Sequence, residues 1–313
     1  MTPGRPVLSR LNACLMSGAL VLSACAPLPV AVPPPVPVVV APPPETPQSA
    51  AMRAYFSQVQ STLLSRGLLR TDNGSTDAPY SDGMLAEAFL RIALYDEFQR
   101  GPGGYVAQET ESILRRWQGP VRVALRFGAS VPETRRATER ARVGSYLARL
   151  SGITGHPIRL SDSAPNFFVY IVSEDERQAL APEIAAVMPG FQTNEIRAFT
   201  AMPPSTYCQV SVLSEARTGV YMRAVAVIRS EHTDLMHLAC LQEEIAQGLG
   251  LPNDSPRARP SIFNDDQEFA LLTPMDEAML RILYNPALRS GMSLGQARPV
   301  VQMLARAMTG GGA

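Results

Sequence analysis

Glu243 and Glu244 stand side by side, Gln247 lies four residues after the first, and Asn253 and Asp254 follow two glycines, Gly248 and Gly250. These residues have the types and spacing that could do chemistry. On a helix, positions 243 and 247 share a face. Glu244 could act as a general base, with its carboxyl pushed up by the like charge of Glu243. Oxygen donors from Glu243, Gln247 and Asp254 would suit a hard ion such as Ca²⁺ or Mn²⁺ better than zinc, which favours imidazole and thiolate. The plainer reading is a hydrogen-bonded polar patch with Glu244 partly buried, on a helix whose Leu238, Leu241, Ile245 and Leu249 pack a core.

Other reactive groups are few. The three histidines are His156, His232 and His237, so an ordinary multi-histidine metal centre is not expected. His232 and His237 are five apart and do not share a helical face well. Ser261 has no histidine at a telling position, so a Ser-His-Asp reading is unsupported. All 28 basic residues are arginine, and the absence of lysine excludes Schiff-base and Walker-type lysine chemistry.

Periodicity supplies the elements that must position these groups. Apolar residues at helical spacing predict helices over Ala50–Gly67, Met84–Phe98, Pro132–Leu150, Thr233–Leu249 and Leu294–Met308. Strands are predicted at Pro120–Gly128, Asn166–Val172, Tyr207–Leu213 and Val220–Ile228. Ser173 with Glu176, and Thr273 with Asp276, have capping-box spacing and open two further helices, the second running to Tyr284. The pattern reads as an α+β body, residues 49–313, with a mixed sheet and several helices.

Ahead of that body, Arg5 and Arg10 precede an apolar run from Leu11 to Ala24, too short to span a membrane comfortably and suited to a secretory signal. Leu22-Ser23-Ala24-Cys25 resembles a bacterial lipobox, which implies cleavage after residue 24 and acylation of Cys25. Residues 25–48 are then a proline-rich tether, whose polyproline II geometry would reach roughly 70 Å. Without the leader, 26 arginines face 28 acidic residues, a balance unlike that of a general nucleic-acid binder. Nine arginines between Arg115 and Arg149 form a local basic block: either a face for anionic envelope polymers, or a solvated surface with acidic partners. Asn264–Glu268 is a small acidic loop without EF-hand spacing. In an exported chain the pair Cys208 and Cys240 reads most simply as a disulfide.

The run Cys240–Asp254 resembles the zinc helix of metzincin metallopeptidases, whose pattern is H-E-x-x-H-x-x-G-x-x-H. Leu249-Gly250-Leu251 matches the turn often found inside that motif. Glu244 matches the position whose carboxylate activates a metal-bound water. The ligand positions hold Glu243, Gln247 and Asn253, with Asp254 beside the last, so none keeps histidine. Downstream, Ser261-Ile262-Phe263 matches a turn beneath the metal, and Leu272-Thr273, Asp276 and Leu283-Tyr284 match the helix that follows it. Trp117 and its strand resemble the first strand of such domains.

More closely, the segments Glu243–Asp254 and Arg259–Pro286, with Gly291-Met292, resemble a family of proteobacterial lipoproteins known as domain of unknown function 2927. Together the resemblances imply a single zincin-like domain on a lipid anchor in the bacterial envelope, at the outer membrane facing the periplasm. They imply a non-catalytic, pseudo-peptidase domain that binds a protein or peptide in a cleft along the Glu244 helix, with no cofactor and no nucleic acid. The alternative is an active hydrolase that uses Glu244 with an atypical metal.

Overall fold

The computed structural model describes residues 41–101, 104–264 and 266–310, and residues from Ala41 onward form one compact unit. The leader, Cys25 and most of the tether lie outside the described residues. In chain order the elements are α1 (Pro47–Ser65), α2 (Asp82–Leu94), β1 (Tyr95–Gly101), β2 (Gly104–Glu111), β3 (Val121–Phe127), α3 (Glu133–Thr154), β4 (Ile158–Leu160) and β5 (Phe167–Val172). There follow α4 (Glu174–Gln178), α5 (Ala181–Val187), α6 (Thr193–Thr200), β6 (Cys208–Ser214), β7 (Tyr221–Arg229), α7 (Asp234–Gln247), α8 (Pro274–Leu283) and α9 (Leu294–Thr309).

Five strands form a mixed sheet in the order β4-β3-β5-β7-β6. The first four run parallel and β6 pairs antiparallel with β7. All six residues of β5 are buried, as expected of a strand covered on both faces by helices. Alternation divides its side chains. Phe167, Val169 and Ile171 join the larger core with α2, α3, α7, α8 and α9. Phe168, Tyr170 and Val172 join a smaller core with Ile184 of α5 and Phe199 of α6. α1 makes a third cluster, in which Phe56 and Leu63 pack with Met236, Ala239 and Ala270.

The predicted α+β body with its mixed sheet is present. Both capping boxes form, at Ser173/Glu176 and Thr273/Asp276. The helix predicted to reach Phe98 stops at Leu94, where the chain turns extended into a hairpin of β1 and β2. The last two turns of α2 bury Leu90, Ile92, Ala93 and Leu94, whereas Tyr95–Gly101 offers no apolar stripe to continue the packing. Several arginines of the basic block have partners within the fold. Arg116 and Arg136 donate to backbone carbonyls, Arg126 and Arg140 pair with Asp162, and Arg149 pairs with Glu277.

Cys208 and Cys240 are bonded and tie the edge strand β6 to the middle of α7. With a sequence separation of 32, the cross-link stabilises by about 3–4 kcal/mol in the chain-entropy account. Replacing both cysteines by serine lowers the unfolding free energy by about that amount in denaturant titrations read against the oxidised wild type.

Candidate functional site

α7 carries both glutamates and packs its apolar face into the larger core. It buries Leu241, Ile245 and Ala246 against the sheet and ends at Gly248. The turn after it is pinned from two sides. The Trp117 indole donates to the Gly248 carbonyl at 2.8 Å, and the Tyr284 hydroxyl donates to the Leu249 carbonyl at 2.8 Å. Gly250 has φ +131°, and a Cβ there would lie 2.5 Å from the Arg115 carbonyl oxygen. Only glycine fits this close backbone approach. The turn redirects the chain so that Asn253 meets the end of α2, donating its backbone N–H to the Ile92 carbonyl and its amide to the Arg91 carbonyl.

Ser261-Ile262-Phe263 is held by one buried carboxylate. Asp276 accepts from the Ser261 hydroxyl at 2.5 Å, from the Ile262 N–H at 3.1 Å and from the Thr273 N–H and hydroxyl, both at 2.8 Å. Burial raises this carboxyl to about 6 despite those four donors. Ser261 is thereby a structural hydroxyl.

The five residues singled out around α7 do not converge on one point. Gln247 donates its amide to Asp254 at 3.0 Å, and Asn253 is taken up by the α2 carbonyls. Glu243 is half-buried and borders a cavity of about 10 Å³, closed by Leu69, Tyr207, Gln267 and the disulfide, too small for more than about one water. Glu244 points the other way. It is 4% exposed, and its Oε2 has no hydrogen-bond partner among the described residues. Burial, and secondarily the charge of Asp254, push its carboxyl well above the usual range. Glu243 is not among the causes of that shift, contrary to the reading from adjacency. Two adjacent helical positions point about 100° apart. α1 and the segment after it cover the side of α7 that carries Met236, Ala239 and Glu243.

His232 and His237 are both buried. His237 lies 3.3 Å from Glu139, and His232 packs edge-on against Phe56, with ring centroids 4.5 Å apart. Both sit where the parallel strands end, among polar residues that hydropathy alone did not mark as core. In the acidic loop, Glu268 pairs with Arg70 and Arg259, and Asp265 lies outside the described residues. Among the described residues no group of three or more His, Cys, Asp or Glu is placed to hold a metal ion.

Residues 82–303 match the sequence profile of a family described as "Protein of unknown function (DUF2927)". The chain belongs to this family. The matched span takes in α2 through most of α9, and so the sheet, the Glu244 helix and its turn, but not α1. No curated protein and no solved structure matches the chain.

Glu244 is an apolar-site carboxyl with no partner for one oxygen, so its ionisation works against the fold. A raised folded-state value means stability is lost as pH climbs from the ordinary carboxylate range through the raised value. Glu244→Gln removes that loss. The variant is therefore increasingly more stable than wild type as pH rises above the ordinary carboxylate range, in unfolding titrations at a series of pH values. A variant less stable than wild type at high pH contradicts the assignment.

Proposed function

We propose that this protein is a lipid-anchored envelope protein whose body is a metzincin-like, non-catalytic domain that binds protein or peptide. One observation carries the non-catalytic reading: the side chains at the ligand positions are engaged by the fold itself. Gln247 is bonded to Asp254 and Asn253 to the Arg91 carbonyl. These residues do not fit zinc. None of these positions offers the imidazole or thiolate that zinc favours, and both amide nitrogens are engaged in hydrogen bonds within the fold. The scaffold features that support the resemblance are nonetheless in place. A helix follows the sheet, a glycine turn ends it, and the Ser261–Phe263 turn and a helix ending in Leu283-Tyr284 follow.

Peptide binding is supported by the edge of the sheet. The outer edge of β6 makes no backbone hydrogen bond to another described segment. An unpaired edge strand of this kind accepts an extended peptide as an additional strand. The disulfide holds one end of β6 rigid, which lowers the ordering cost of such pairing.

The membrane assignment is supported by Arg5, Arg10, the apolar run to Ala24 and the Cys25 lipobox. The proline-rich segment would lift the body off the outer membrane into the periplasm. Changing Cys25 to Ser moves the protein from the membrane to the soluble fraction of the envelope; continued membrane retention contradicts the anchor.

The binding reading is tested with the purified oxidised protein and a random peptide library. Selected peptides are expected to be retained and recovered intact. Peptides recovered cleaved, in a reaction that chelators stop and Glu244→Gln abolishes, would instead establish the hydrolase.

A further inference from the structure

α1 lies over the carboxyl ends of β5 and β7 and along the start of α7, and it touches that surface through a single stripe. Ser49, Phe56, Gln60 and Leu63 are spaced 7, 4 and 3 apart, which places them on one helical face. The Ser49 hydroxyl donates to Glu231 Oε1 at 2.7 Å, the same oxygen that takes the Glu174 N–H at 2.7 Å. Phe56 is fully buried between His232, Tyr207 and the Arg229 guanidinium. Gln60 Oε1 accepts the Met236 N–H at 3.2 Å and the Thr233 hydroxyl. Thr233 is the N-cap of α7 but makes no capping bond of its own, so α1 supplies a cap that the body lacks. Beyond α1, residues 69–70 pair with 267–270: Leu69 N–H with the Gln267 carbonyl, Arg70 N–H with that of Glu268, and Ala270 N–H with that of Arg70. Leu69 then closes the small cavity beside Glu243.

This attachment is shallow for its length. Of the 19 residues of α1 only Ser49, Phe56 and Leu63 are buried, and their cluster is separate from both cores of the sheet. A helix of this length is marginal alone, so its order depends on docking. The docked state also buries polar atoms without partners among the described residues, namely Glu231 Oε2 and both ring nitrogens of His232. Burying such atoms without partners is unfavourable, and opening returns them to water. Few buried contacts and orphaned polar groups are the marks of a segment that opens before the whole molecule unfolds.

We propose that residues 46–72 are a self-docked cover that opens as one unit, and that the face beneath takes an amphipathic helix of a partner protein. That helix would present a hydroxyl, an aromatic ring, an amide and an aliphatic side chain at the spacing of Ser49, Phe56, Gln60 and Leu63. The occupant is specified by α1 itself, the helix seated there. The carboxyl ends of parallel strands are also where open α/β sheets commonly take ligands. The proposal does not depend on peptide pairing at β6 or on the absence of catalysis.

Native-state hydrogen exchange of the full-length wild-type protein in sub-denaturing guanidinium tests the opening. Amides of residues 47–70 are expected to exchange at a distinctly lower free energy than those of β5 and β7. If they exchange only with global unfolding, the cover is an ordinary part of the fold and the proposal is overturned. Phe56→Ala is expected to accelerate exchange over residues 47–70 by roughly 10²–10³-fold while leaving β5 and β7 within about twofold. A labelled peptide of residues 46–66 is expected to bind the Phe56→Ala protein one to one, and a peptide with the same substitution to bind at least about tenfold more weakly. Equal binding of the two peptides, or none of either, overturns the helix-binding face.

Discussion

The turn that ends α7 is the constraint on which the rest of the site depends. Trp117 and Tyr284 donate into consecutive carbonyls from opposite sides, and Gly250 passes the Arg115 backbone at a distance only a Cβ-free residue allows. Both donors are aromatic side chains whose rings also fill the core, so the hydrogen bonds and the packing cannot be separated. The turn sends the chain to α2, where Asn253 is captured. It also sets Asp254 beside Gln247 and close enough to raise the Glu244 carboxyl. The Asp276 carboxylate does the same for the Ser261–Phe263 turn, gathering four donors inside the core.

On the proposed non-catalytic reading, these constraints let the helix geometry persist without the chemistry that the resemblance suggests. A metal site needs side chains whose donors are left over after the fold has satisfied its own polar groups. Here the amides of Gln247 and Asn253 are drawn into the fold, and the Glu244 carboxyl is buried from water. On the opposite side of the helix, Glu243 sits under Leu69, beside the disulfide. The surfaces proposed for a partner are the edge of β6 and, when the segment of residues 46–72 is released, the face around Glu231 and His232.

Much of the fold was legible in sequence because strong local signals agreed with tertiary packing. Phe167–Val172 is apolar throughout and forms the central strand, and Thr273 with Asp276 both caps α8 and anchors the turn before it. The hairpin of β1 and β2 was not legible, because Tyr95–Glu111 lacks alternation and its pairing is set by two strands meeting each other. The strand β4 is three residues long, below any periodic signal. At the site, Glu244 was legible as a perturbed carboxyl but its cause was not. Adjacency suggested Glu243, whereas helix geometry separates the pair and a turn ten residues on brings Asp254 near. The covering of α7 by α1 was also invisible. Its anchors, Ser49 and Gln60, are polar and carry no hydrophobic pattern, and their partners lie more than 170 residues away.

On the proposed reading, the side chains around α7 are committed to the fold and hold no metal. Calorimetric titration of Zn²⁺, Mn²⁺ and Ca²⁺ into the full-length, oxidised, metal-stripped protein tests it most directly. No stoichiometric binding of any of the three is expected. A one-to-one site that is lost in Gln247→Ala and in Glu243→Ala would show that these residues can converge on a metal, and would contradict it.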